Sequence, residues 1–134
     1  MSYTIMDSLP FPKSRQDIPT WTELVGRAYA LTAVGTEMEP LRTKLEKAGV
    51  ARRWPPTEDA DVRLRLRCEI EAIVAHDVYG LTKSDMLYIL DPANLLGPGC
   101  EAETFRVLRE RELRQEGEYL TQRLVNESWD HLFP

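Results

Sequence analysis

An all-α domain, a compact bundle of five or six helices behind an extended proline-containing amino-terminal arm, is what this sequence predicts. Three observations predict it. Apolar residues recur at i, i+3 and i+4 along most of the chain; helix-start and helix-stop residues bracket those stretches; and the connectors between them are short and rich in Gly and Pro. With 134 residues, 43% hydrophobic and 29% charged, the chain suffices for one modest core and not for two ordinary domains.

Residues 1–19 carry Pro10, Pro12 and Pro19 around "SLPF", a composition that suits an extended arm lying on another surface, so the helical domain is expected over 20–134. Thr20 followed by Glu23 has the capping-box spacing, and Trp21, Leu24, Val25, Ala28 and Tyr29 recur at helical spacing, which predicts a first helix from about Trp21 to Ala33. A second helix opens at Thr36 or Glu37, carries Met38, Leu41, Leu45 and Ala48 on one stripe, and stops at Gly49. "ARRWPPTED" is a connector.

"DVRLRLRCEIEAIVAHDVYG" sets two periods against each other. Val62, Leu64, Leu66, Cys68 and Ile70 alternate with charged residues as in an amphipathic strand, whereas Leu66, Ile70, Ile73 and Val74 satisfy helical spacing. Helix is preferred, because Arg, Leu and Glu are good helix formers and the segment runs into "EAIVAHDVYG", closed by Gly80; strand stays as the alternative over 62–70. Thr82 with Asp85 caps a short helix, "KSDMLYIL", that Asp91-Pro92 ends. A nine-residue loop through Cys100 is expected next. "EAETFRVLRERELRQ" and "GEYLTQRLVNESWDHL" then form two helices parted near Gly117, the last with Leu120, Leu124, Val125, Ser128, Trp129 and Leu132 on one stripe.

The net charge of −5 argues against nucleic-acid binding by bulk charge, although 13 of the 17 basic residues are Arg. That bias fits either an interaction surface for phosphates and carboxylates or ion pairs along helix faces. Cys68 and Cys100 lack CxxC spacing and a neighbouring Cys/His cluster, so neither a zinc site nor a disulfide framework is expected. No apolar run approaches the length of a bilayer crossing, and no signal-peptide core is evident, which places the protein in the cytoplasm as an expectation.

"MLYILDPANLLGPG" imitates an adenosylmethionine loop, which needs its glycines tight against the end of a parallel strand and an acidic residue one strand later. Asn94, Leu95 and Leu96 displace Gly97 from Asp91-Pro92-Ala93, Pro98 intervenes between the glycines, and a charged helical stretch follows where a second strand is required. No cofactor is therefore expected. His76 and His131 stand without a second ligand at metal spacing and read as packed or solvated side chains, and no nucleophile-elbow serine or phosphate loop occurs, so no catalytic residue is assigned.

"EAIVAHDVYGLTKSDMLYILD", "ETFRVLREREL" and "GEYLTQRLVNESWDHL" resemble the extreme carboxy-terminal region of large adenine-specific DNA methylases of bacterial restriction-modification and phage-defence systems, including type IIG enzymes and BREX- and DISARM-like methylases. The likeness is strongest over 70–91 and 103–132 and extends more weakly to "LPFP" and the first helix. It departs at Leu120, where the family pattern favours a basic residue. The catalytic domain of that family lies upstream, so the resemblance implies a non-catalytic accessory module that packs on the methyltransferase catalytic or target-recognition part and adds contacts to duplex DNA. Glu103, Thr104, Phe105 and Arg109 match one part of the pattern, Gly117, Glu118, Tyr119 and Thr121 another, and Tyr79, Gly80 and Leu81 a third. Lys83, Thr104, Arg106, Arg109, Arg111, Arg114, Tyr119 and Arg123 become the DNA-contact candidates. Against this stands pairing of those cations with Glu110, Glu112, Glu116 and Glu118, and with it a second reading: a protein-docking module without DNA affinity, using the proline-rich arm and an exposed Trp54 region.

Overall fold

The computed structural model describes residues 20–49, 53–100 and 104–134; the arm expected over 1–19 and the Glu103 match lie outside them. Within the described residues the chain is all-α, with no strand. The helices are α1 (Trp21–Thr32), α2 (Glu39–Lys47), α3 (Ala60–Ile73), α4 (Lys83–Leu90), α5 (Ala93–Leu96), α6 (Arg106–Glu116) and α7 (Leu120–Leu132). A 3-10 turn, Thr36–Met38, leads into α2, and a π-turn, Val74–Val78, extends α3.

The period conflict over 62–70 resolves as helix. Asp59 caps α3 by accepting from the Val62 N–H at 2.9 Å, and the apolar positions at helical spacing, Cys68, Ala72 and Ile73, are buried. At the far end the Tyr79 N–H reaches the Val74 carbonyl at 3.1 Å, a π-type bond. The Leu81 N–H then bonds the Ala75 carbonyl at 2.9 Å around Gly80, whose φ of +64° is the left-handed conformation its place at the helix end predicts.

Several expected features differ. Thr20 and Glu23 do not form a capping box: the Thr20 hydroxyl donates instead to Asp77 in the π-turn, and the Glu23 carboxylate is taken by Arg27 and Arg53. Asp77 and Arg53, distant in sequence, and Arg27, one turn along α1, outcompeted the local pair. The loop expected after Asp91 contains a helical turn, α5, because the Asp91 side chain accepts from the Ala93 N–H at 3.1 Å and starts it. "MLYILDPANLLGPG" is thus helix, Asp-Pro corner, helix; the strand that a cofactor loop requires is not there.

The stripe of α2 is not core either, since Leu41 is exposed and no residue of the helix is buried. The core lies instead where α3 crosses α7. Cys68, Ala72, Met86, Leu90, Val125 and Trp129 form its centre, with Leu64, Leu87, Phe105, Leu124 and Leu132 packed around it. Ala72 is fully inaccessible to solvent, and its small side chain lets the two helices approach.

A second interface joins α1 to α3. Trp54, expected to be exposed, is buried on Gly26, where a Cβ would stand 2.2 Å from its ring. Arg53 lies over the ring at 4.5 Å, and Arg27 lies at 5.5 Å while pairing with Glu69 of α3 and, at 2.8 Å, with Glu23. Arg63 secures the same interface by donating to the Leu31 and Thr57 carbonyls, each at 2.9 Å.

The Thr82–Asp85 capping box forms as read: Thr82 accepts from the Asp85 N–H at 3.2 Å and Asp85 accepts from the Thr82 N–H at 2.9 Å. Hydrogen bonds from Thr82 hold the Asp85 carboxyl below its ordinary value. A lowered folded-state value stabilises above the unfolded carboxylate range and is lost as pH falls through and below about 3.9. Thr82→Ala should cost about 1 kcal/mol at neutral pH. Urea unfolding should show the cost shrinking in acid.

Candidate functional site

Two features bear on function. The first is a cavity of about 170 Å³ between the α3 end and π-turn on one side and α4 on the other. Val74, Ala75 and Tyr79 form one wall and Met86, Ile89 and Leu90 the other, with Phe105 and Val125 also lining it. Only Glu71 among its lining residues is charged. The surface outside is apolar as well: Tyr88 and Ile89 on α4, Leu95 and Leu96 on α5 and Val107 on α6 are all exposed, Val107 at 76%. α4 packs on α5, and Ile89 of α4 lines the cavity together with Phe105, which precedes α6.

The second is the set of DNA-contact candidates, which the structure does not gather on one surface. Lys83 pairs with Asp130 of α7 at 2.6 Å. Arg109 pairs at 2.7 Å with Asp91, which is 4% exposed, so this cation is committed to holding α6 against the Asp-Pro corner. Arg123 is held by Glu118 at 3.0 Å and Glu127 at 2.7 Å, and these bonds raise its pKa further above the usual range. Arg106 approaches Glu110 at 4.0 Å, and Arg114 donates to the Glu110 carbonyl at 3.2 Å. Thr104 and Arg111 are exposed. Tyr119 is buried; burial first and the nearby Glu112 second push its phenol up to about 12. Its ring contributes to packing, as does that of Phe105, which lies against the core.

The "GEY.T" match has a structural counterpart that sequence reasoning missed. Glu112, 8% exposed, accepts from the Thr121 N–H at 2.7 Å and from the Thr121 hydroxyl at 2.6 Å. A carboxylate from α6 therefore satisfies an orphan donor at the first turn of α7, where the helix dipole also favours negative charge. Gly117 permits the reversal with φ of +78°. The spacing of nine residues across a turn is no local capping signature, so pattern alone cannot find it. Glu112 also adds to burial in raising the Cys68 thiol to about 11, whereas Cys100 is exposed.

His76 is both packed and solvated. Its ring stacks on Phe133 at 3.9 Å and meets Trp129 edge-on at 5.2 Å, while 42% of the side chain stays exposed. Its Nδ1 lies 2.5 Å from Asp77, whose other carboxylate oxygen accepts from Thr20. The pair joins the starts and ends of three helices. Among the described residues no cluster of His, Cys, Asp and Glu is fit to hold a metal, and no helix is long and apolar enough to cross a membrane.

No family model matches this chain, nor does any curated protein or solved structure. Glu112→Ala should cost about 2 kcal/mol, because the Thr121 donors lose their buried acceptor. Glu112→Gln, which keeps one acceptor oxygen, should cost less. Urea unfolding of both variants measures the order.

Proposed function

We propose that this chain is a non-catalytic accessory module that docks on a larger protein, the catalytic or target-recognition part of an adenine-specific DNA methylase of a restriction or defence system. The exposed apolar face of α4, α5 and the first turn of α6 carries the docking half of this reading. Isolated surface leucines are unremarkable, but five large exposed apolar side chains on α4, α5 and the first turn of α6, with Ile89 among them lining an apolar cavity, are the composition of an interface centre. The methylase half rests on the sequence likeness over 70–91 and 103–132.

Direct DNA contact is the second reading, favoured by one observation. Arg111 and Arg114 are exposed on α6 and neither is engaged by a carboxylate among the described residues. Two such cations provide a far smaller footprint than a phosphate-reading surface of six to ten contacts.

The docking reading is tested by co-purifying the full chain with an adenine-specific methylase from the same genome. Leu96→Glu and Val107→Glu should each weaken capture about tenfold or more, as expected for charging the centre of an apolar interface. Arg111→Glu with Arg114→Glu should leave capture unchanged. Equal capture of all variants would overturn the assignment of the face.

A further inference from the structure

Tyr119, at the start of α7, and Gln122 and Asn126 within it recur at i, i+3 and i+7, so they share one stripe of the helix. With Leu87 of α4 and Asn94 of α5 they line a groove of about 360 Å³. Among the described residues three buried side-chain atoms have no hydrogen-bond partner, and two of them belong to this groove: the Tyr119 hydroxyl and the Gln122 amide nitrogen. Leaving a buried donor unpaired costs about 1–3 kcal/mol, so two at one place call for a reason. Asn126 also forms no side-chain hydrogen bond among the described residues. Asn94 donates to the Asp91 carbonyl at 3.4 Å, which leaves its own amide oxygen to accept. We infer that this groove takes the main chain of an extended peptide segment from a partner protein, held by side-chain amides.

Charge and spacing select that ligand. The charged residues of the lining, Glu118 and Arg123, pair with each other at 3.0 Å, and Arg123 also pairs with Glu127 at 2.7 Å. A phosphate or a carboxylate therefore finds no unpaired cation here, and the groove suits a neutral ligand with both donors and acceptors. Gln122 and Asn126 stand one turn apart, a rise of about 6 Å. Along an extended chain, residues that turn their N–H and C=O to the same side recur at every second position, about 6.6 Å apart. The two repeats match, so each amide meets one residue of the ligand, its oxygen accepting from the N–H and its nitrogen donating to the carbonyl. This is the main-chain recognition that a sheet edge gives, with a ladder of amide side chains in place of the strand.

α5 belongs to this groove and to the apolar face alike: Asn94 lines the one, while Leu95 and Leu96 are exposed on the other. A segment leaving the groove over α5 brings its own protein onto that face. The inference goes beyond the docking reading and stands without the methylase assignment, because it concerns a second surface with different chemistry.

Nuclear magnetic resonance of the full chain, labelled with ¹⁵N, tests it with acetyl-tetra-alanine-amide, a peptide whose main chain supplies the contacts with little help from its side chains. Millimolar peptide should shift the Gln122 and Asn126 side-chain amide signals saturably. The same peptide N-methylated at every residue lacks the donors and should bind at least about tenfold more weakly. Gln122→Met and Asn126→Leu, made singly, should each weaken binding of the unmethylated peptide about tenfold, read from the backbone signal of Asn94. Unshifted wild-type signals at millimolar peptide, or equal shifts with both peptides, would overturn the inference. Saturable shifts with adenosine or uridine and none with the peptide would overturn it too, assigning the groove to a planar base.

Discussion

The crossing of α3 with α7 is the contact on which the rest of this structure depends. Cys68 and Ala72 on one helix meet Val125 and Trp129 on the other, and the remaining elements are arranged about that seam. Met86 and Leu90 bring α4 onto it, and Phe105 brings the start of α6. Two of the seam residues are small, so the helices approach closely and the larger partners fill the space at the ends. The Trp129 indole continues outward to Phe133 and His76, which fastens the π-turn to the last helix. The apolar cavity has its place for the same reason: Val125 of the seam lines it, and the walls are the two elements that flank it.

The arginine bias of an acidic chain gains an explanation from how the helices are joined. Arg27 bridges α1 to α3, Arg63 ties α3 to the end of α1 and the connector, and Arg109 fixes α6 to Asp91. In each case a planar guanidinium meets a carboxylate or carbonyl at an interface, where its fork geometry suits it better than the point charge of lysine. Arg123 differs: it is about half exposed, and its pairs with Glu118 and Glu127 contribute little to stability. They nevertheless place carboxylates beside the charge that a phosphate would have to reach.

Much of this was legible in sequence because it is local. The starts and stops at Gly80, Thr82–Asp85 and Gly117 depend on residues a few positions apart, and each forms as its spacing requires. Apolar periodicity likewise foretold Val125 and Trp129 as core. What failed was non-local. Thr20 and Glu23 had the right spacing for a capping box, but the distant Asp77 took the Thr20 hydroxyl, and Arg53, 30 positions on, joined Arg27 of the same helix in taking the Glu23 carboxylate. Trp54 sits in a proline-rich connector, where polarity of the surroundings suggested exposure; a glycine 28 positions earlier makes the hollow that buries it. Glu112 looked like one more solvated charge in "RVLREREL", and only the reversal at Gly117 turns it toward Thr121.

The cations proposed to contact DNA cluster in the sequence largely on a helix charged around most of its circumference; the fold pairs Lys83, Arg109 and Arg123 with different carboxylates and leaves Arg111 and Arg114 exposed. Nothing in the sequence marked Leu95, Leu96 and Val107 as an apolar surface, because neither a four-residue helix nor the edge of a charged one shows useful periodicity; they stand out only once their exposure is known. The measurement that bears most directly on the choice between docking and DNA contact is a fluorescence-anisotropy titration of the full chain against labelled duplex DNA at low and moderate salt. A docking module that offers DNA two exposed arginines, Arg111 and Arg114, gives no saturable binding at micromolar protein in either condition. Binding in that range that weakens steeply with salt, as nonspecific phosphate contacts of about 10⁻⁴–10⁻⁶ M affinity do, would contradict it.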